Sequence, residues 1–329
     1  MKIDYNILNM KELRQHFVSA CENGDLKLIN YILTSRELNL HPRINDDNYA
    51  GLNIAQKNNH FKVIKYLLEK FQKTDYISCH TAYWHVFKNS CKDGNAELLN
   101  LIVELPYYEN QLQSFQSGLV LCSSLGHIDL LKVIINKTAY DKTILAEMAA
   151  DALKAACFAG QLETVKYLLT PNLFNKQLSV AFKEYTPLMQ ACAGGHIEVV
   201  KYLLALPELT PMPHTIIFNK ALQHTVESWN MEVLEYLLVS NTEKFTINDD
   251  IFTYMDLRNE NKKQINEEMI NYFIYDYKMP FTNELKKNLN TPYQEFIYKK
   301  FESRDFKNRL NEEIENNELI NSNNKKNKI

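Results

Sequence analysis

One pattern recurs along this chain every 32 to 36 positions: an apolar stretch with small residues, a single turn residue, then a densely apolar amphipathic run. With that turn residue as the marker, the copies fall at Gly24, Asn59, Gly94, Gly126, Gly160, Gly195, Trp229 and, degenerately, Ile265. A period of this size confines a chain to stacked supersecondary units. Each unit cannot bury its own apolar face and is completed by its neighbours. Such a stack offers a surface for gripping partners and has no built-in pocket for chemistry.

The positions around the marker say what each unit is. Apolar residues follow it at +2, +4, +5, +7, +8 and usually +9, as in Leu26, Leu28, Ile29, Tyr31, Ile32 and Leu33, which is an amphipathic helix with a wide buried stripe. A large apolar residue precedes it at −7 (Phe17, Leu52, Phe87, Leu119, Leu153, Leu188 and Leu222). Small residues at −4 and −3 let this first helix pack closely. The marker reverses the chain between two helices in a left-handed conformation, which glycine and asparagine tolerate, and this accounts for five of the eight glycines.

The best-preserved copy, Thr186-Pro187-Leu188-Met189-Gln190-Ala191-Cys192-Ala193-Gly194-Gly195-His196-Ile197-Glu198-Val199-Val200-Lys201-Tyr202-Leu203-Leu204, is close to the ankyrin consensus. Residues of about 12 to 275 resemble ankyrin repeats, with the units at Trp229 and Ile265 the weakest, as terminal units are. The resemblance implies an all-α solenoid of about seven to eight units that binds another protein through its concave groove and loops. Two departures stand out. The family's glycine-bearing hairpin turns are missing, so extended or irregular loops are expected in place of β-fingers. Met189 stands where the family usually has a histidine. In the family His60, His127 and His196, each following a marker, are structural.

Composition excludes little beyond this but does so clearly. A hydrophobic content of 45% supports a long core, and a net charge of −3 gives no electrostatic case for a nucleic-acid partner. No apolar run is long enough for a membrane span, and Met1–Asn6 has no apolar region of a secretory signal. Cys21, Cys91, Cys157 and Cys192 lie three residues before a marker and Cys122 four before one, so they are expected as buried free thiols in a reducing, cytoplasmic setting. Cys79, His80, His85 and Cys91 have a spacing that matches no common zinc frame, and no phosphate loop, nucleophile elbow or carboxylate pair is found. Neither a catalytic centre, a cofactor, a metal nor a small-molecule ligand is expected.

Candidate partner-binding residues come from positions that packing does not explain. Tyr49, Trp84 and Tyr185 stand ten before a marker, just ahead of the first helix, and read either as interface anchors or as hydrophobic staples onto that helix. Lys92, Asp93, Phe158, Gln190 and His224 occupy variable first-helix positions that the resemblance turns to the groove. Trp229 is a poor residue for a left-handed turn; the alternative is that Asn230 takes the turn and Trp229 tucks into the terminal interface.

The expected organisation is a lead-in over 1–11, a repeat solenoid over 12–278, a helical C-terminal cap over 279–315 and a disordered polar tail over 316–329. In the cap, Pro292 to Leu310 reads as one helix marked by Phe296, Ile297, Phe301, Phe306 and Leu310. Glu312, Glu313, Glu315 and Glu318 resemble the glutamate block of type IV secretion signals in effectors of intracellular bacteria; a solvated helix end is the other reading. The leading function is a non-catalytic protein-binding module, with an effector role inside a host cell as its extension. An enzyme with a divergent site at the C-terminal end of the solenoid is the alternative.

Overall fold

The computed structural model describes residues 9–35, 42–72, 76–105, 112–137, 142–171, 173–174, 186–206, 214–240, 251, 263–279, 297–309 and 311. These are helical with short turns, and no strand occurs among them. The fold is all-α, built of helix pairs, and forms two compact units. One comprises Met1–Ala156 and Gln161–Leu178; the other comprises Cys157–Gly160 and Ser179–Ile329.

In the first unit the pairs are α1 (Met10–Asn23) with α2 (Leu26–Thr34), α3 (Asp46–Lys57) with α4 (Phe61–Gln72), α5 (Tyr76–Asp93) with α6 (Ala96–Val103), α7 (Leu112–Leu125) with α8 (Ile128–Lys137), and α9 (Lys142–Phe158) with α10 (Leu162–Leu168). First helices pack on first helices, α1 on α3, α3 on α5 and α5 on α7, while α4, α6, α8 and α10 form a second layer. The second unit holds α11 (Thr186–Gly194) with α12 (Ile197–Leu204) and α13 (His214–Glu227) with α14 (Met231–Ser240), followed by α15 (Lys263–Asn271). A π-helical stretch, Tyr272–Asp276, extends α15, and α16 spans 297–309.

All seven markers from Gly24 to Trp229 have positive φ, between 57° and 77°. At each one the next residue's N–H returns to the carbonyl four before the marker, as in Asp25 to Ala20 at 2.9 Å, Gln161 to Ala156 at 2.9 Å and Asn230 to Thr225 at 3.2 Å. This is the Schellman closure, which satisfies carbonyls that a helix end would otherwise orphan. The second helix then starts at once. Asp25 and Asn95 cap it by accepting from the N–H groups of Leu28 and Leu98, both at 2.9 Å.

The turns also join one pair to the next. A Cβ on Gly24 would come 2.8 Å from Nδ1 of His60, one on Gly126 2.5 Å from Oε1 of Gln161, and one on Gly195 2.5 Å from Oδ1 of Asn230. His60, His127, Gln161, His196 and Asn230 therefore lie against the preceding turn, and His60, Gln161 and Asn230 bond its carbonyls. The ring Nε2 of His60 is 3.0 Å from the carbonyl of Glu22, and the Asn230 amide donates to Cys192 and Ala193, both at 2.9 Å.

The core follows the register read from sequence. The −7 residues from Phe17 to Leu222 are all buried, as are Ile29, Ile64, Leu99, Leu131, Val165, Val200 and Leu234 at +5. Each such side chain contributes on the order of 1.5–3 kcal/mol by leaving water. Two of the three glycines that are not markers have a packing role. A Cβ on Gly51 would come 2.8 Å from the Phe17 ring, and one on Gly118 2.4 Å from the Phe87 ring. A phenylalanine at −7 in one pair thus needs a glycine at −8 in the next. Where −7 is leucine, the following −8 residue carries a side chain, as Ala152 and Ala221 do.

Several expectations are corrected. Trp229 itself takes the left-handed turn, at φ 57°, and Asn230 does not. Its cost is offset by a hydrogen bond from Nε1 to the buried Oδ1 of Asn266 at 2.8 Å. Ile265 is no turn, because it lies inside α15; among the described residues after Trp229 the left-handed one is Lys278. Position −3 is not always small, since Gln56 and Val226 fill it. Trp84 does not precede the first helix: α5 has 18 residues, with no glycine or proline to stop it starting earlier. Tyr49 closes three consecutive left-handed residues, Asp47, Asn48 and Tyr49, at the start of α3.

In α16, Ile297 and Phe301 are buried but Phe306 is 63% exposed, so it is no core mark. The guanidinium of Arg304 donates to the carbonyls of Ile274 and Met279, and the Tyr275 hydroxyl donates to Lys300, which seats α16 on the π-helical stretch. Tyr185, Phe296, Leu310, the tail glutamates and most of the inter-pair loops lie outside the described residues.

Candidate protein-interaction face

First helices present two kinds of side chain to the outer face of their layer. Residues at −9, −6 and −5 fall one turn apart on the side away from the second helices; in α5 these are His85, Lys88 and Asn89. Between α3 and α5 they knit together. The ring Nε2 of His85 lies 2.6 Å from Oδ1 of Asn53 and 3.1 Å from the Asn89 amide, while Gln56 donates to Asp93 at 3.1 Å. The Tyr49 ring stacks on His85 with centroids 4.5 Å apart. Burial, and then the charge of Lys88, hold the His85 pKa below its ordinary value. Between α7 and α9 a comparable bridge runs from Gln116 to Asp151, which also pairs with Lys154.

Between α5 and α7 the knitting is interrupted. Trp84 and Lys88 on α5 make no hydrogen bond to α7, and a cleft of about 650 Å³ opens there, lined by Trp84, Phe87, Lys88, Ser117, Gly118 and Leu121 among others. The Trp84 ring is held edge-on by Tyr83 at 5.0 Å, Phe87 at 5.1 Å and Phe115 at 5.4 Å. Its indole N–H is buried and meets no acceptor among the described residues. Lys88 and Lys92 are exposed, and no described carboxylate lies within ion-pair distance of either.

The sequence candidates therefore separate. Tyr49 joins the polar network through His85, Asp93 joins it through Gln56, and Trp84 belongs to the aromatic cluster of the cleft. In the second unit, Phe158 is 54% exposed, and its backbone carbonyl is where a Cβ on Gly194 would collide, at 2.3 Å. Gln190 and Trp229 are half-buried, and His224 is 3.7 Å from the Glu227 carboxylate. His85, Asn53, Asn89, Gln56, Lys88 and Gln116 were not among the candidates. For all but Gln56, which is buried at −3, the signal was register: polar residues at first-helix positions that packing leaves outside.

The thiols belong to the core. All six cysteines are free and buried, and burial pushes Cys21 and Cys192 up to about 12. Cys91 is raised by its hydrogen bond with Cys122 and by burial, and Cys157 by burial. Thiols held protonated in this way are poor nucleophiles and poor metal ligands. Cys79 donates to the carbonyl of Leu68 and His85 faces Asn53, so the Cys79–Cys91 segment is engaged in separate structural contacts.

Helix pairs closed by Schellman turns and latched turn to turn define a helical-repeat binding architecture. The profile of the family described as ankyrin repeats (3 copies) matches residues 153–249, so that stretch carries ankyrin repeats. No curated protein matches it. Ankyrin repeats are a protein–protein interaction architecture, and no described helix is long and apolar enough to cross a membrane.

Proposed function

We propose that this chain is a non-catalytic module that holds one partner protein on the outer face of its first helices. The carrying observation is the α3–α5–α7 face. Its polar side chains are pre-organised in bonds between neighbouring helices, and next to them lie an aromatic cleft and two lysines that meet no carboxylate among the described residues. Rigid aromatics ringed by polar groups are the residues that dominate binding energy at interfaces. In the second unit Phe158 supports the same reading, since a solvated first-helix position gains nothing from a phenylalanine.

The test uses the full chain as bait and identifies captured proteins by mass spectrometry. Lys92→Glu with Phe158→Ala changes two exposed side chains, so helical content and melting should hold while capture falls. Undiminished capture by that double variant would refute this face. The enzyme reading has less support, because three of the described polar side chains after Lys263 are spent on packing: Arg304 on carbonyls, Tyr275 on the Lys300 carbonyl and Asn266 on Trp229.

The glutamate block of the tail supports one extension, export as an effector into a host cell. Removing the last twenty residues should abolish translocation. Unimpaired translocation refutes the extension and leaves the binding module standing.

A further inference from the structure

The break in the polar face between α5 and α7 has a specific chemistry. The α7 side of the cleft runs from Gln116 to Ser124, which at the helical rise is about 12 Å, the reach of an extended chain of three or four residues. Its volume, about 650 Å³, falls among those of clefts that enclose whole side chains. Trp84 and Phe87 give it an aromatic wall, and Gly118 gives it a floor with no side chain. The buried Trp84 N–H lacks an acceptor among the described residues, a cost proteins seldom leave standing without a ligand or water to meet it.

Charge decides what kind of chain fits. Lys88 stands at the rim, and Lys92 is one turn further along α5. Along the face Asp151 is paired with Lys154, while Asp93, beside Lys92, accepts from Gln56 and keeps its charge. At the cleft itself Lys88 has no described carboxylate within ion-pair distance, which favours an acidic occupant over a basic one.

We propose that the α5–α7 cleft is a peptide subsite that takes a bulky apolar side chain from a partner segment, with an adjacent Asp or Glu carboxylate on Lys88. This rests on the partner-binding reading above and names the partner's chemistry at that face. The segment lies extended across α7, its apolar side chain stands against Trp84, and its backbone or carboxylate oxygens supply acceptors.

The molecule provides its own reporter. Trp84 and Trp229 are the only two tryptophans, so in a full-length Trp229→Phe background the indole emission comes from Trp84 alone. The probes are acetylated, amidated tetrapeptides with Leu, Phe or Ser at the second position and Asp, Lys or Ser at the third. Leu-Asp and Phe-Asp peptides should shift the emission saturably, and Leu-Lys peptides should bind about tenfold more weakly. Lys88→Glu should invert that order, and Ser117→Phe, at an exposed position on the cleft wall, should remove the saturable shift.

A charge order unchanged by Lys88→Glu, or binding unchanged by Ser117→Phe, overturns the assignment. So does the absence of a saturable shift with every peptide. A shift with decanoate and none with peptides gives the cleft to a lipid-like anion and overturns it as well. None of these results touches the bait experiment with Lys92→Glu and Phe158→Ala, so the subsite can fail while the binding module stands.

Discussion

The pairs α5–α6 and α11–α12 are written on the same register and fold to different ends. In α11 a first-turn proline and a run of small residues, Ala191, Cys192, Ala193 and Gly194, give a nine-residue helix packed to its limits. In α5 the same register carries Tyr83, Trp84 and Phe87 over 18 residues, and the face beside it opens into a cleft. Departure from the consensus therefore does not weaken the fold at α5. It moves bulk to the boundary between pairs, where a neighbour must make room and a ligand can enter.

The sharpest way to break this comparison is through the two glycines that serve the two pairs. Gly194 faces a backbone carbonyl, which cannot move aside, at a would-be Cβ distance of 2.3 Å. Gly194→Ala should cost about 3 kcal/mol, read as a shift in the urea midpoint. Gly118 faces the Phe87 ring, which can swing into the cleft, so Gly118→Ala should cost less, about 1–2 kcal/mol. Phe87→Leu added to Gly118→Ala should recover most of that loss and should recover nothing when added to Gly194→Ala. Equal costs for the two glycines, or no rescue, would mean that the −7 and −8 positions are not coupled.

A smaller effect follows from His85, which belongs to the α5 side only. Its folded-state pKa is held low, so as pH falls through the unfolded histidine value of about 6.5 the unfolded chain takes up the proton first. Stability from this site is therefore present above that pH and lost between it and the lower folded value. His85→Gln should flatten this part of the stability-against-pH curve. A slope unaltered by the substitution removes the network from the account.

The smallest effect expected is a gain. Asn59 holds φ 58° as a marker, and Asn59→Gly should raise stability by about 0.5 kcal/mol by easing that conformation. No such relief is available at Trp229, whose side chain is itself a hydrogen-bond partner of Asn266.

The legible part of this chain was what the period dictates. Seven turn positions from Gly24 to Trp229, the buried −7 and +5 residues and the burial of every cysteine but Cys79 follow from one register, because a stack imposes the same environment on every copy. First-helix lengths were not legible in α5 and α9, since no breaker stops those helices from starting early. The left-handed run Asp47–Tyr49 carries no glycine, so propensity argued against it; Asn48 instead accepts from the Asn53 amide, and Tyr49 leans on His85. The polar face was only half legible. Exposed register positions could be named, but which of them would join across helices depends on distances that a sequence does not contain.

The pairing of Phe17 with Gly51 and of Phe87 with Gly118 has a bearing on how such arrays change over generations. Repeats are commonly thought of as units that can be duplicated, deleted or exchanged one at a time. Here the seam of compatibility runs through the middle of each unit. A copy of α5 transplanted without its follower would carry a key and leave the lock behind. Recombination that respects this chain's architecture must therefore move neighbours together, and its hereditary module is larger than its structural one.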